Sequence, residues 1–226
     1  MRVMGIDPGI ATCGFAITEN DVPIHWGGFF GKSMDRLDLR VIQLATRLRF
    51  IAEVWRVDAI VTEQFFLPKG KFAAKMGLPT YQRGALDIIT NMAFWHMPHL
   101  KVHPGHLKIF ATGKGNAPKE RTAKTKPGEI SVMEGLQDTF SGDMERLILT
   151  IDRAKDVGHI IEALALARIG WLAWDDQWVG RDLPARETRV MRMMKTDNAS
   201  WVLPVSPVPV PLPDVSRIGD DVDEDG

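Results

Sequence analysis

Apolar residues gather into a short run near the start of the chain, Val3-Met4-Gly5-Ile6, which stops at Asp7 and a Pro8-Gly9 turn. Small residues from Ile10 to Gly14 lead into a second run, Phe15-Ala16-Ile17. Two apolar runs parted by a Pro-Gly turn predict a strand-turn-strand unit, with strands at about 2–7 and 13–19 and a third at about 23–30. The period then changes. Leu37, Val41, Leu44, Leu48, Ile51 and Val54 recur every three to four residues, which predicts a helix over about 36–55 with one buried stripe. Asp58 to Thr62 reads as a short strand ending at Glu63. A helix is predicted from about 78 or 81 to 96, a strand over about 100–102 and a short helix over about 105–110. Thr112-Gly113-Lys114-Gly115 reads as a turn. A helix start is placed at about 119–124 and a longer helix over about 155–174. The order β-β-β-α-β-α-β-α predicts an α/β fold with a mixed sheet.

Past Trp178 the periodicity fades, and the segment from Ser200 is proline-rich and then acidic. The prediction is one folded domain over about 1–178 and an irregular Pro-rich and acidic tail over about 179–226. A chain of 226 residues that is 45% hydrophobic and 25% charged is ordinary for one globular domain. The net charge of −1 hides an uneven distribution. From Lys101 to Lys126 there are seven Lys/Arg and one acid, Glu120, whereas from Asp214 onward there are six acids and one Arg. That pairing of a basic face with an acidic tail suits a nucleic-acid partner better than the total suggests. Cys13 is the lone cysteine, so no intrachain disulfide can form, which suits a reducing cytosol. The chain enters a strand at once and holds no apolar run of spanning length, so neither a signal peptide nor a membrane helix is expected.

The acids carry the chemistry. Asp7 ends the first predicted strand and Glu63 the fourth. On neighbouring strands their carboxylates lie side by side, where mutual repulsion raises a pKa unless a divalent cation intervenes. Hard oxygen ligands of this kind suit magnesium or manganese. Asp156, His159 and Glu162 follow at three-residue spacing on the predicted helix over 155–174, one polar stripe on an otherwise Ile, Leu and Ala surface. The Asp7/Glu63 edge is the partner such a stripe needs.

Four segments in order resemble the RuvC-type Holliday-junction resolvases of the ribonuclease-H-like superfamily, across residues 1 to about 175. They are Gly5-Ile6-Asp7-Pro8-Gly9 with Gly14; Glu63-Gln64-Phe65-Phe66 with Lys75-Met76-Gly77-Leu78 and Arg83-Gly84; Lys108 with Thr112-Gly113-Lys114-Gly115-Asn116-Ala117-Pro118-Lys119; and His159 with Glu162-Ala163-Leu164-Ala165-Leu166-Ala167. The resemblance implies a ribonuclease-H-like mixed five-stranded sheet flanked by helices. It implies a Mg²⁺-dependent endodeoxyribonuclease, with Mn²⁺ as a substitute, that resolves four-way junctions by paired nicks and leaves 5′-phosphate ends. Asp7 and Glu63 then look like the first two metal-binding carboxylates, with His159 and Glu162 as the rest. Glu162 departs from the family's usual Asp, and Asp156 with His159 fits the spacing as well. Two ions per site are implied. Phe66, Lys108, Lys114, Lys119 and Arg121 look like the DNA-binding set, and the predicted helix near 78–94 like the element of a homodimer that matches a two-fold symmetric junction. The bacterial or phage-infected cytoplasm is the implied location, and the compact chain with its unusual tail suits a phage or other mobile element.

Each residue also has a plain reading. Asp7 can cap a turn, Glu63 can be solvated, His159 can be a satisfied core histidine, and Phe65 or Phe66 can be core. Met191-Arg192-Met193-Met194 reads as apolar packing without a role. Asp7-Pro8-Gly9 to Gly14 also fits the phosphate loop of actin-like ATPases and sugar kinases, although those enzymes repeat the fold and this chain shows no repeat. A broader nuclease acting on flaps and forks, and a catalytically inactive binder of branched DNA, stay open at this level.

Overall fold

Strands β1 (Arg2–Asp7), β2 (Thr12–Glu19), β3 (Val22–Phe30), β4 (Ala59–Glu63) and β5 (His99–Val102) form one mixed sheet. Its order is β3-β2-β1-β4-β5. The first three strands are antiparallel, and β1, β4 and β5 run parallel. The computed structural model describes residues 1–9, 12–30, 37–64, 77–119, 130–142, 154–197 and 201. Helices α1 (Leu37–Val54), α2 (Gly77–Ala93), α3 (Pro104–Thr112), α4 (Val132–Thr139), α5 (Ala154–Ala173) and α6 (Ala185–Thr196) flank the sheet. The mixed five-stranded sheet between helices is the architecture expected from the sequence.

Central strand β1 is buried on both faces, which explains its unbroken apolar run. Its side chains alternate. Met4 and Ile6 pack with Phe15, Ile60, Leu44 and Leu48 under α1 and α2. Val3 packs on the opposite face with Val61, Ile160, Ala163 and Leu164 under α5. Asp7 therefore falls on the α5 side.

Two helices lie where none was expected. Helix α4 is set by a capping box, in which Ser131 Oγ accepts from the Glu134 N–H while the Glu134 carboxylate accepts from the Ser131 N–H. That Ser-x-x-Glu signal is present in the sequence. The expectation of an irregular chain from 179 is corrected over Ala185–Thr196, which is α6. Glu187, Val190, Met191 and Met194 form its buried stripe, so Met191 and Met194 of the 191–194 run pack as apolar core while Arg192 is exposed. Burying Val190, Met191 and Met194 stabilises by about 1.5–3 kcal/mol each before ordering costs. The helix is pinned by Glu187 to Arg168 (3.2 Å), and Arg168 also pairs with Asp21 (2.9 Å). Arg186 reaches Thr139 Oγ1 (2.8 Å) and the Ala111 carbonyl (3.0 Å). These partners are distant in sequence, so local patterning could not announce them. The expected helix start at 119–124 falls almost wholly outside the described residues, and so does the tail from 202. Among the described residues no helix is long and apolar enough to cross a membrane.

Candidate active site and metal centre

Asp7 is the last residue of β1, and Glu63 is the last of β4. The parallel register places Ile6 opposite Thr62, so Asp7 and Glu63 are the next positions along adjacent strands. Val61, two residues before Glu63, faces α5 at Gly170, and the period of two puts Glu63 on that same face. The sheet edge thus carries two carboxylates beneath α5.

Close approach of backbones brings α5 down onto this edge. A Cβ on Gly5 would sit 1.9 Å from the Ala163 carbonyl oxygen, and one on Gly14 would sit 2.3 Å from the His159 carbonyl. Only hydrogen fits between these elements. The consequence is direct: His159 and Glu162, one turn apart on α5, are lowered onto Asp7.

His159 Nδ1 hydrogen-bonds Asp7 Oδ2 at 2.5 Å, and Glu162 Oε2 accepts from Lys119 Nζ at 2.8 Å. Asp7, His159 and Glu162 each offer one ligand atom, and all three atoms lie within 4.8 Å of one another. Burial pushes the Asp7 carboxyl up. Hydrogen bonds to His159 and Glu162, with the charges of His159 and Lys119, outweigh it and hold Asp7 below the usual carboxylate value. Glu162 goes the other way: burial first, then the charge and hydrogen bond of Asp7, push it up to about 8. Lys119 opposes that shift, but its side chain is 54% exposed and water screens its pull. Burial works against the Lys119 ammonium too, yet Glu162, Asp7 and Glu63 together raise its pKa. Two buried carboxylates and one imidazole crowded in this way are a donor set that fits a hard divalent cation, which removes the repulsion between them.

The sequence candidates distribute unevenly. Asp7, His159 and Glu162 converge, and Glu63 ends the neighbouring strand within reach of Lys119's charge. Asp156 lies on α5 one turn before His159, with its side chain outside the described residues. Lys119, expected as a DNA contact, is seated on Glu162, a placement with no sequence signal. Lys108 is half-buried on α3, and Lys114 is exposed in the turn after it. Phe65, Phe66 and Arg121 lie outside the described residues. Cys13 is sealed beside the site. Burial, then the charge of Asp7, drive its thiol pKa upward and leave it inert.

A stability prediction follows from Glu162. Its carboxyl titrates higher in the folded chain than the ordinary 4.5, so the folded state holds the proton longer than the unfolded state. The contribution of Glu162 to stability is therefore full below about pH 4.5 and is lost as pH rises to about 8. Glu162→Gln keeps this position neutral. In EDTA at pH 8.5 it is expected to unfold later than the native chain, and the gain should vanish near pH 4.5. Thermal melts at both pH values check this, and equal melting at pH 8.5 would contradict it.

A family model described as "Crossover junction endodeoxyribonuclease RuvC" matches residues 3–126. A crossover junction endodeoxyribonuclease RuvC from Synechococcus sp. (strain CC9605) is 25% identical over 158 residues, covering 66% of this chain and 97% of that protein. The protein of that description from Helicobacter pylori (strain P12) is 30% identical over 127 residues, covering 54% and 78%. The fold is similar to T. thermophilus RuvC in complex with a Holliday junction substrate, with a TM-score of 0.51 and 20% identity over 77% of this chain and 96% of that one. With more than half of its length matched by the family model and its acids gathered under α5, the chain belongs to the crossover junction endodeoxyribonuclease RuvC family.

Proposed function

We propose that this chain is a structure-selective endonuclease that resolves four-way DNA junctions by divalent-metal-dependent hydrolysis of the phosphodiester backbone. The observation that carries the reading is the convergence of Asp7, His159 and Glu162 from β1 and α5, in a member of this family. Asp7, Glu63 and Glu162 would supply carboxylate ligands and His159 the nitrogen ligand, with Asp156 a further candidate one turn earlier. Mg²⁺ is the expected ion, with Mn²⁺ substituting and two ions per site; held by these residues, it would supply Lewis-acid polarisation of the phosphate, a water made more acidic and charge stabilisation for the leaving 3′-oxygen. The chain's own contribution is geometric and electrostatic. The 159–162 turn sets the donors, α5 shuts water from one side, and Lys119 balances the charge of Glu162. Lys108, Lys114 and Arg121 are proposed to hold the DNA backbone, and Phe66 to stack on bases near the crossover. A DNA substrate of this kind implies the bacterial or phage-infected cytoplasm as the place of action.

A four-way junction, a flap, a fork and a linear duplex incubated with Mg²⁺, Mn²⁺ or EDTA test the reading. Metal-dependent paired nicks confined to the junction are expected. Equal cutting of flaps and forks would establish the broader nuclease, and binding without cutting would leave a branched-DNA binder.

Paired nicks need two sites, and a homodimer with its contact face on α1 and α2 would supply them. α1 and α2 pack together and expose Phe50 (65%), Met92 (67%) and, just past α2, Trp95 (55%), large apolar side chains that a partner protomer would cover. Phe50→Glu with Trp95→Glu is expected to yield monomers by light scattering and to turn paired nicks into uncoupled single nicks. An unchanged mass would refute this dimer face.

A further inference from the structure

Helix α6 lies outside the segment that the family model matches and carries Arg186, Arg189, Arg192 and Lys195 against one acid, Glu187. Glu187 is buried and paired with Arg168, so the displayed charge of the helix is positive. Because Val190, Met191 and Met194 turn inward, helical geometry turns Arg189 and Arg192 outward, three residues apart on one face. They line a shallow open groove of about 460 Å³ that ends at Asp197, whose carboxylate is paired with His106 Nε2 at 3.1 Å.

The other two cations of α6 are spoken for. Lys195 pairs with Asp176 at 2.8 Å, and Arg186 holds Thr139 and Ala111. Arg189 and Arg192 are exposed, and among the described residues neither has an acidic partner. Arg189 Nη1 donates to the Gly113 carbonyl at 3.3 Å, beside the exposed Lys114. Five residues after Lys114, Lys119 sits on Glu162. A path of cations therefore leads from the active site, along the segment 113–119, onto α6.

We propose that the Arg189/Arg192 face of α6 binds the phosphate backbone of a DNA arm leaving the junction, away from the crossover. The proposal rests on the junction-nuclease reading above. Guanidinium groups without internal acids suit phosphate oxygens, which they grip in a bidentate manner, and they give affinity without sequence preference.

The test uses the full chain and Arg189→Gln/Arg192→Gln, with binding measured in EDTA. The ligands are junctions with short arms, junctions with long arms, and a linear duplex. On long arms the double variant is expected to bind more weakly, with a log-log salt slope shallower by about 2 for each protomer engaged. The native chain's advantage should then shrink about tenfold between 50 and 200 mM salt. On short arms the two proteins should bind alike, and cleavage at saturating junction should be equal. Arg189→Lys/Arg192→Lys should recover most of the affinity and all of the salt slope. Equal affinity and slope on long arms would overturn the proposal. Tighter binding by the Gln variant would also overturn it, because the arginines would then be seating the acidic residues 214–225 in place of DNA. A native chain that does not prefer junction to duplex would overturn the junction reading instead, and the arginine effect would still be readable on the duplex.

Discussion

Asp7→Asn is expected to cut the rate of junction cleavage by about 10³-fold or more, equivalent to about 4 kcal/mol of transition-state stabilisation. Asp7 touches both partners from α5: it hydrogen-bonds His159 and, after burial, is the main cause of the raised pKa of Glu162. Asparagine keeps the shape and removes the charge, so the proposed metal site would lose a carboxylate ligand while the fold keeps its packing. Removing the charge relieves the repulsion that raises Glu162 but gives up the charged hydrogen bond to His159 that holds Asp7 low, so without divalent ion the variant should melt within about 1 kcal/mol of the native chain. Junction affinity should stay within about threefold, because the backbone contacts lie elsewhere. Single-turnover cleavage and gel-shift binding on one preparation check the split. Cleavage surviving in Asp7→Asn would remove the proposed centre, and loss of binding together with cleavage would point to misfolding.

The second large effect is structural. Gly5→Ala is expected to destabilise by about 3 kcal/mol or more, and Gly14→Ala likewise. The added Cβ meets backbone in both cases, the Ala163 oxygen at 1.9 Å and the His159 carbonyl at 2.3 Å. A side chain can rotate out of the way, but a helix backbone must move as a body. The expected fall in melting temperature is about 6–12 °C. Gly14→Ala should in addition lose more cleavage than Gly5→Ala at equal stability, because the atoms it displaces belong to His159 itself. Gly142 provides the comparison, since a Cβ added there would meet nothing within 4 Å, and Gly142→Ala should change the stability by less than about 0.5 kcal/mol. Melts together with cleavage at low temperature decide the matter. A normal melt for Gly5→Ala would show that α5 does not need its contact with β1.

The strands and most helices were legible because their signals are local. The apolar runs at 3–6 and 15–17 and the stripe of Val41, Leu44 and Leu48 report burial directly, and β1–β5 with α1, α2, α3 and α5 lie within about three residues of their expected bounds. The stripe of α1 ends sooner than its spacing suggests, because Val54 is exposed in the last turn. Helix α4 had a local signal as well, the Ser131/Glu134 capping box, which hydropathy alone does not weigh. Helix α6 had a weak one. Its four inward residues include an acid, Glu187, whose burial makes sense only beside Arg168, nineteen residues away in the chain.

Of the site, the sequence by itself determined which residues could do the chemistry: Asp7 and Glu63 at strand ends, and an acid-histidine stripe on one helix. It did so because metal chemistry demands particular residue types, and types are written in the chain. The tertiary structure decided which of them meet. That His159 and Glu162 reach Asp7 depends on where along α5 the glycines of β1 and β2 let the helix touch down. The seat of Lys119 on Glu162 depends on how the segment after α3 meets α5. Both are contacts between residues far apart in sequence, fixed by packing geometry that no local pattern encodes.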